Sequence, residues 1–282
     1  MLSRLARGSA ESISTEKLAT GLTVTVNLFR ADGTQLLTDE AATEGSGDEA
    51  GFYELVLSPT ETGEIDRLRA EWRADGATIE VSFHDVVGAH YFSVESLRKL
   101  DPLDKADVYS DRDLRFYRDL GSYALEGACG VTWTERYSEH TFDGTGSDSV
   151  IVQQAGITEI LGAAIDGVAT GTPKLLSGGE VKLQDGERWT AETSCIVRLI
   201  RAYMAFPPPR EIRAMKLIAK HFAFSDAPGG RGSGIPDRAT SLSTSDGSFS
   251  LITAGARGAT FDVPEANAVV EEYAGKGQVF YV

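Results

Sequence analysis

Leu22-Thr23-Val24-Thr25-Val26-Asn27-Leu28-Phe29 alternates apolar with polar side chains, and Ala31-Asp32-Gly33 then turns the chain into Gln35 to Leu37. A period of two places the apolar side chains on one face of a strand, and the Gly/Asp turn makes a hairpin of the pair. The same reading extends on either side. Phe52 to Leu57 keeps the period with Tyr53, Leu55 and Leu57 on one face and is stopped by Pro59. Leu68 to Arg73 and Thr78 to Phe83 are joined by Asp75-Gly76, with Trp72 and Phe83 as large anchors. Short strands punctuated by Gly and Asp turns predict a β-sandwich over residues 18–90, preceded by an N-terminal extension, 1–17.

Beyond His90 the period changes. Leu114, Tyr117, Leu120, Ala124 and Ala128 recur at steps of three and four, and Ser110 with Asp113 three residues on resembles a capping box, so 111–129 is predicted helical. Pro207-Pro208-Pro209 precedes Ile212, Met215, Ala219 and Phe222 at helical spacing, and Pro264 precedes Ala266, Val269, Val270 and Tyr273 in the same way. Proline suits the first helical position, where no amide donor is needed. Leu120, Ala124, Met215, Ala219 and Val269 are the expected contacts among these three helices. Ser149 to Gln153, Ile157 to Ile165 and Glu180 to Leu183 read as strands between glycine turns, whereas Ser194 to Met204 fits helix or strand, with helix the preferred reading. Residues 225–260 form a long loop or projecting hairpin, and 274–282 a tail.

The 282 residues carry 27 Lys+Arg against 42 Asp+Glu, a formal charge of -15, so the whole-molecule field repels nucleic-acid phosphates. Residues 1–90 hold 7 basic against 16 acidic side chains, which with the change of period marks a boundary near His90. Two cysteines, Cys129 and Cys195, are too few for a disulfide framework and fit a reducing compartment. No apolar run reaches the roughly 18 residues of a membrane span, and Met1 to Ser14 lacks an apolar signal core, so a cytosolic, soluble chain is expected.

Chemistry-bearing patterns are scarce. His84, His90, His140 and His221 are not paired at metal-ligand spacing, neither cysteine lies in CxxC, and no serine sits in a G-x-S-x-G elbow. Gly229 to Gly234 follows a helix rather than opening one and lacks the GK[ST] of a phosphate cradle. Asp101, Asp104, Asp107, Asp111 and Asp113 miss the spacing of a calcium loop and read as a solvated approach to the helix. The expectation is a protein without catalytic residues, cofactor or metal.

Several stretches carry a family resemblance. Asp101-Pro102-Leu103, Tyr109, Arg118-Asp119, Glu126 and Cys129-Gly130-Val131-Thr132-Trp133 resemble the opening of head-to-tail adaptor proteins of long-tailed phages, notably those of actinobacterial hosts. Arg136 and His140 to Asp148, with its T-x-D-G-x-G-x-D pattern, are similar to the family's next element, and Ile157-Thr158-Glu159-Ile160 follows. Gly234 to Thr240 and Asp262 to Val270 continue the pattern, although members often have Gly at the place of Asp262 and Asp at that of Asn267. The resemblance covers about two thirds of the chain.

It implies an α+β fold in which the N-terminal β-sandwich is followed by a helical-core adaptor domain, 91–282, with inserted β-hairpins. It also implies a structural virion protein, assembled in the host cytoplasm and located in the neck. Such a protein forms a ring, dodecameric by the resemblance, beneath the portal, receives a stopper or other tail protein, and passes genomic DNA without binding it specifically. The candidate portal interface comprises Ile235, Arg238 and the strand-like tail Gln278, Val279, Phe280, Tyr281 and Val282, where two preceding glycines allow a change of direction. The alternative suggested by the sandwich and by Trp72, Trp133 and Trp189 is a carbohydrate-binding or adhesin-like module.

Overall fold

The computed structural model describes residues 2–152, 156–184, 186–203, 206–226, 241–244, 247–250, 261 and 263–273. In chain order the strands of the first part are β1 (Leu2–Ala6), β2 (Glu11–Ser14), β3 (Val24–Phe29), β4 (Gln35–Ala41), β5 (Thr43–Glu44), β6 (Tyr53–Leu57), β7 (Asp66–Ala74) and β8 (Ala77–Val87). After the helices α1 (Val94–Arg98) and α2 (Asp111–Cys129) come β9 (Arg136–Asp143), β10 (Ser149–Ile151), β11 (Ile157–Ile165), β12 (Val168–Ala169), β13 (Lys174–Leu175), β14 (Glu180–Lys182) and β15 (Ser194–Arg201). Helix α3 (Pro209–Asp226), the hairpin β16 (Ser241–Thr244) and β17 (Gly247–Ser250), and helix α4 (Pro264–Tyr273) complete the described elements.

The dominant structure is one nine-stranded, curled and mainly antiparallel sheet, in the order β12-β11-β15-β9-β8-β7-β3-β4, with β1 added to β8 in parallel. Two three-stranded sheets cover it. β2-β6-β5 lays Ile13, Tyr53, Leu55 and Leu57 on Val24, Val26, Leu28, Leu68, Ala70 and Trp72, and together they form one core. β10-β14-β13 supplies Val181 to a second core with Ile160, Ala163, Cys195, Val197, Leu199 and Trp189. β7 shows the alternation most plainly, buried at every second residue from Asp66 to Ala74.

This architecture corrects the expected fold class. Helix makes up only 25%, and the protein is not a helical-core domain with inserted β-hairpins. Of the strands expected as inserted hairpins, β11 belongs to the same sheet as β3, β7 and β8, and so do β9 and β15. The junction is brief: Val87 pairs with Arg136, and the Gly88 N–H donates to Glu135 O at 2.9 Å. Local periodicity carries no trace of a contact 49 residues apart that consists of one bridge. The segment read as helix, 194–204, is largely β15. Cys195, Val197 and Leu199 are buried in alternation, while Ile196 and Arg198 are not, and the apolar residues at helical spacing reflect a strand with apolar residues on both faces.

A second unit contains Tyr91–Val131 together with α3 and α4. Here α2 begins at the predicted cap: the Ser110 hydroxyl accepts from the Asp113 N–H, and it donates to the Asp113 carboxylate at 2.8 Å. Gly130 ends the helix in the left-handed conformation, φ 68°, with its N–H on Glu126 O and Gly127 O. Met215, Ala219 and Val269 are buried as expected, but Leu120 and Ala124 are only half-buried. The buried face of α2 is instead Leu114, Arg118, Asp119, Gly121, Ser122, Leu125, Glu126 and Cys129. The missing side chain at Gly121 lets α2 approach Met215 and Ala219 of α3 closely, and the buried charges are matched. Arg118 Nε meets Asp119 at 2.8 Å, and Glu126 accepts the hydroxyl hydrogen of Tyr91.

Candidate interaction site

Asp75 and Gly76, with φ 50° and 79°, close β7 onto β8 in a two-residue turn whose positive φ angles match the right-handed twist of the strands. β7 pairs along β8 from Asp66↔Val86 to Ala74↔Ala77. On the other side of β8, β1 reaches only from Phe83 to Val87. Among the described residues, no strand therefore pairs with the 77–82 part of β8 on that side, and its outward N–H and C=O groups form an open edge.

The side chains of this edge segregate by parity. Ser82 and His84 point inward and are buried, whereas Ile79, Val81 and Phe83 face out with 39%, 41% and 43% of their surface exposed. The inward parity is fixed by a chain of hydrogen bonds: Trp72 Nε1–H donates to Ser82 Oγ at 2.9 Å, Ser82 Oγ lies 2.8 Å from His84 Nε2, and His84 Nδ1 lies 2.7 Å from Ser3 Oγ. Burial pushes the His84 imidazole down to about 3, so it stays neutral in the folded protein. Next to it the fully buried Asp85 accepts from Arg67 Nε at 2.8 Å and from Arg136 Nε at 2.9 Å, which joins β7, β8 and β9 by charge-assisted bonds.

An open edge bearing Ile79 and Val81, with Phe83 at its end where β1 begins to pair, is a template for strand addition, in which backbone bonds supply affinity and alternate side chains supply register. β8 itself carries one register shift, at Ile79 opposite Trp72 and Arg73, and the terminal strand β4 is broken further. There the pairing with β3 is interrupted by register shifts, Asp39 takes φ 48°, and Asp39, Glu40 and Ala41 stand exposed. Bulges and acidic side chains blunt such an edge.

A second concavity, of about 460 Å³, is lined by Arg30, Asp66, Tyr137, Glu159, Arg198 and Ile200, among others. Its cations are engaged: Arg30 pairs with Glu64 at 2.8 Å and with Asp66 at 3.3 Å, and Arg198 pairs with Glu139 at 3.4 Å. Tyr137 donates to Glu139 at 2.6 Å, and burial raises its hydroxyl pKa, so the phenol holds its proton rather than serving as a base. Burial likewise raises the pKa of Asp66 against the pull of its hydrogen bonds to Arg67 and Arg30. The cleft is a lattice of satisfied ion pairs.

The interface residues expected from the sequence, Ile235, Arg238, Gln278, Val279, Phe280, Tyr281 and Val282, lie outside the described residues. Residues 241–244 and 247–250 of the long loop pair as the β16–β17 hairpin, from Ser241↔Ser250 to Thr244↔Gly247. Trp72, Trp133 and Trp189 are all fully buried, so none offers a stacking platform. The open edge was missed because Phe83 was expected as an inward anchor beside Trp72. The signal was present in Ser82 and His84, which give the Trp72 indole a polar partner and so turn the apolar parity of β8 outward.

Among the described residues, no helix is long and apolar enough to cross a membrane, and no group of three or more His, Cys, Asp or Glu could hold a metal ion. No protein-family model and no curated protein matches the chain.

Proposed function

We propose that the chain is a structural virion protein, a head-to-tail adaptor whose copies form a ring beneath the portal, join capsid to tail and line the DNA exit channel. The observation that carries this reading is the open apolar edge of β8 at 77–82, a surface built to continue a sheet into another chain. The resemblance supplies the identity of the assembly, and the residues that carry it have coherent structural roles. Leu103 and Tyr109 are buried, Arg118 pairs with Asp119, Glu126 holds Tyr91, and Gly130 caps α2. Gly144 and Gly146 of the T-x-D-G-x-G-x-D stretch lie against the 189–193 segment, where the Gly146 N–H donates to Trp189 O at 2.6 Å.

The portal and a stopper or other neck protein are the proposed partners, and twelve copies are the proposed ring. The tail 278–282 is the proposed strand that pairs with an edge on the portal or a neighbour. A surface charge of -15 suits a channel wall, since it repels the phosphates of passing DNA. The carbohydrate-binding alternative loses its main support with the burial of the three tryptophans.

The test is light scattering coupled to size-exclusion chromatography on the full chain and its Val81→Lys variant, each with and without the portal. The adaptor reading expects oligomers and a portal-bound species for the wild type, both reduced by a lysine on the edge. A wild type that stays monomeric and ignores the portal overturns it.

A further inference from the structure

We propose that the outward flank of α3 is a docking face for an acidic surface of a second copy of this chain. The proposal rests on the ring reading above and names the surface through which copies meet. Leu100, Pro209, Ile212 and Leu217 floor an apolar groove of about 460 Å³ in the helical unit, and Arg213 and Lys216 stand on its rim. Lys220 continues the rim one turn further along α3, since positions 213, 216 and 220 fall on one helical face.

None of these three cations forms an ion pair among the described residues, a state that Lys105 of the same unit shares away from the groove. Elsewhere in the same unit, Arg98 pairs with Asp111 at 2.6 Å, Lys99 with Glu95 at 3.3 Å, Arg118 with Asp119 at 2.8 Å and Arg210 with Glu272 at 2.5 Å. Lys216 Nζ lies 5.6 Å from the centroid of the Phe92 ring, a cation–π contact that leaves the ammonium without a carboxylate partner among the described residues.

Charge complementarity selects the occupant. Two copies of a chain at -15 repel one another over most of their surfaces. Contact at this flank converts that repulsion to attraction, because the unpaired cations of one copy meet the carboxylates that dominate the other, and the apolar floor adds burial. An anionic polymer such as DNA is a poorer fit, since three cations and an apolar floor lie within a chain whose overall field opposes it.

The experiment is sedimentation velocity on the full chain at low and at high salt, comparing wild type with Arg213→Glu/Lys216→Glu/Lys220→Glu and with the milder Arg213→Ala/Lys216→Ala. Thermal melts by circular dichroism serve as a folding control, and portal capture is measured in parallel. The proposal expects wild-type self-association to weaken by about tenfold or more in the triple reversal, less in the alanine pair, and to weaken with salt. Melting temperatures should stay close to that of the wild type.

Undiminished association of both variants overturns the docking face, and so does a wild type that never self-associates. Portal capture separates the two ideas. Retained capture with undiminished association removes the face and leaves the adaptor reading standing, whereas a wild type that fails capture removes the adaptor reading whatever α3 does.

Discussion

Replacing Gly121 by alanine tests how closely α2 and α3 approach. A Cβ at Gly121 would lie 2.8 Å from Met215 O, 2.9 Å from Ala219 N and 3.0 Å from Ala219 Cβ. Two of these atoms belong to the α3 backbone, so no rotamer change relieves the clash. The helices must separate by about 0.5 Å to reach ordinary contact. Overpacking of this kind costs about 1–3 kcal/mol, and the rigid backbone neighbours place it at the upper end. The better helix propensity of alanine returns about 1 kcal/mol, which leaves a net loss of about 2 kcal/mol.

Gly127 provides the control on the same helix. Its Cβ would meet nothing within 4 Å, so Gly127→Ala should stabilise by roughly 0.5–1 kcal/mol. Urea unfolding followed by helical circular dichroism should therefore shift the two midpoints in opposite directions at unchanged slope. Equal stabilisation by both substitutions would refute the close approach.

Other outcomes follow from the buried polar network and the thiols. Asp85→Ala removes the buried carboxylate that Arg67 and Arg136 share and should cost about 3–5 kcal/mol in denaturant unfolding, whereas a loss below about 1 kcal/mol would show the network to be dispensable. His84 is neutral when folded, with its pKa held at about 3 below the ordinary 6.5, so its contribution is fully present above pH 6.5 and is lost as pH falls toward 3. His84→Gln should accordingly flatten the acid limb of a stability-versus-pH curve, and an unchanged limb would remove His84 as its source. Cys129 and Cys195 are buried, and burial pushes the Cys129 thiol up to about 12, so a thiol reagent should modify them only at the rate of unfolding. Prompt labelling of the native protein would contradict that burial. A Cβ at Gly144 would lie 1.7 Å from Thr190 O, so Gly144→Ala should lower the melting temperature, and a variant that melts like wild type would disprove the tight β9–β10 connection.

Strands with one wet face were legible from their alternation, as in β3 and β6, and so were helices announced by proline or by the Ser110 cap. Two features were hidden by a shared physical cause. On β8 and on α2 the apolar residues do not mark the buried side. Ser82 and His84 lie inside because Trp72 and Ser3 satisfy their polar atoms, and Arg118, Asp119 and Glu126 lie inside because each has an ionic or hydrogen-bonding partner. Partners of this kind come from distant positions that periodicity does not see, so Phe83 and Leu120 were expected further inside than they are. Sheet continuity across Val87 and Arg136 was hidden for the same reason, since it depends on one long-range bridge. The expected tail contacts lie outside the described residues and stand as proposals.

The central claim is tested most directly by electron microscopy of the protein mixed with the proposed partner, a phage portal protein. The account predicts a symmetric collar of this chain beneath the portal, present with the wild type and depleted with Val81→Lys. Bare portals in the presence of excess, folded wild-type protein would contradict it.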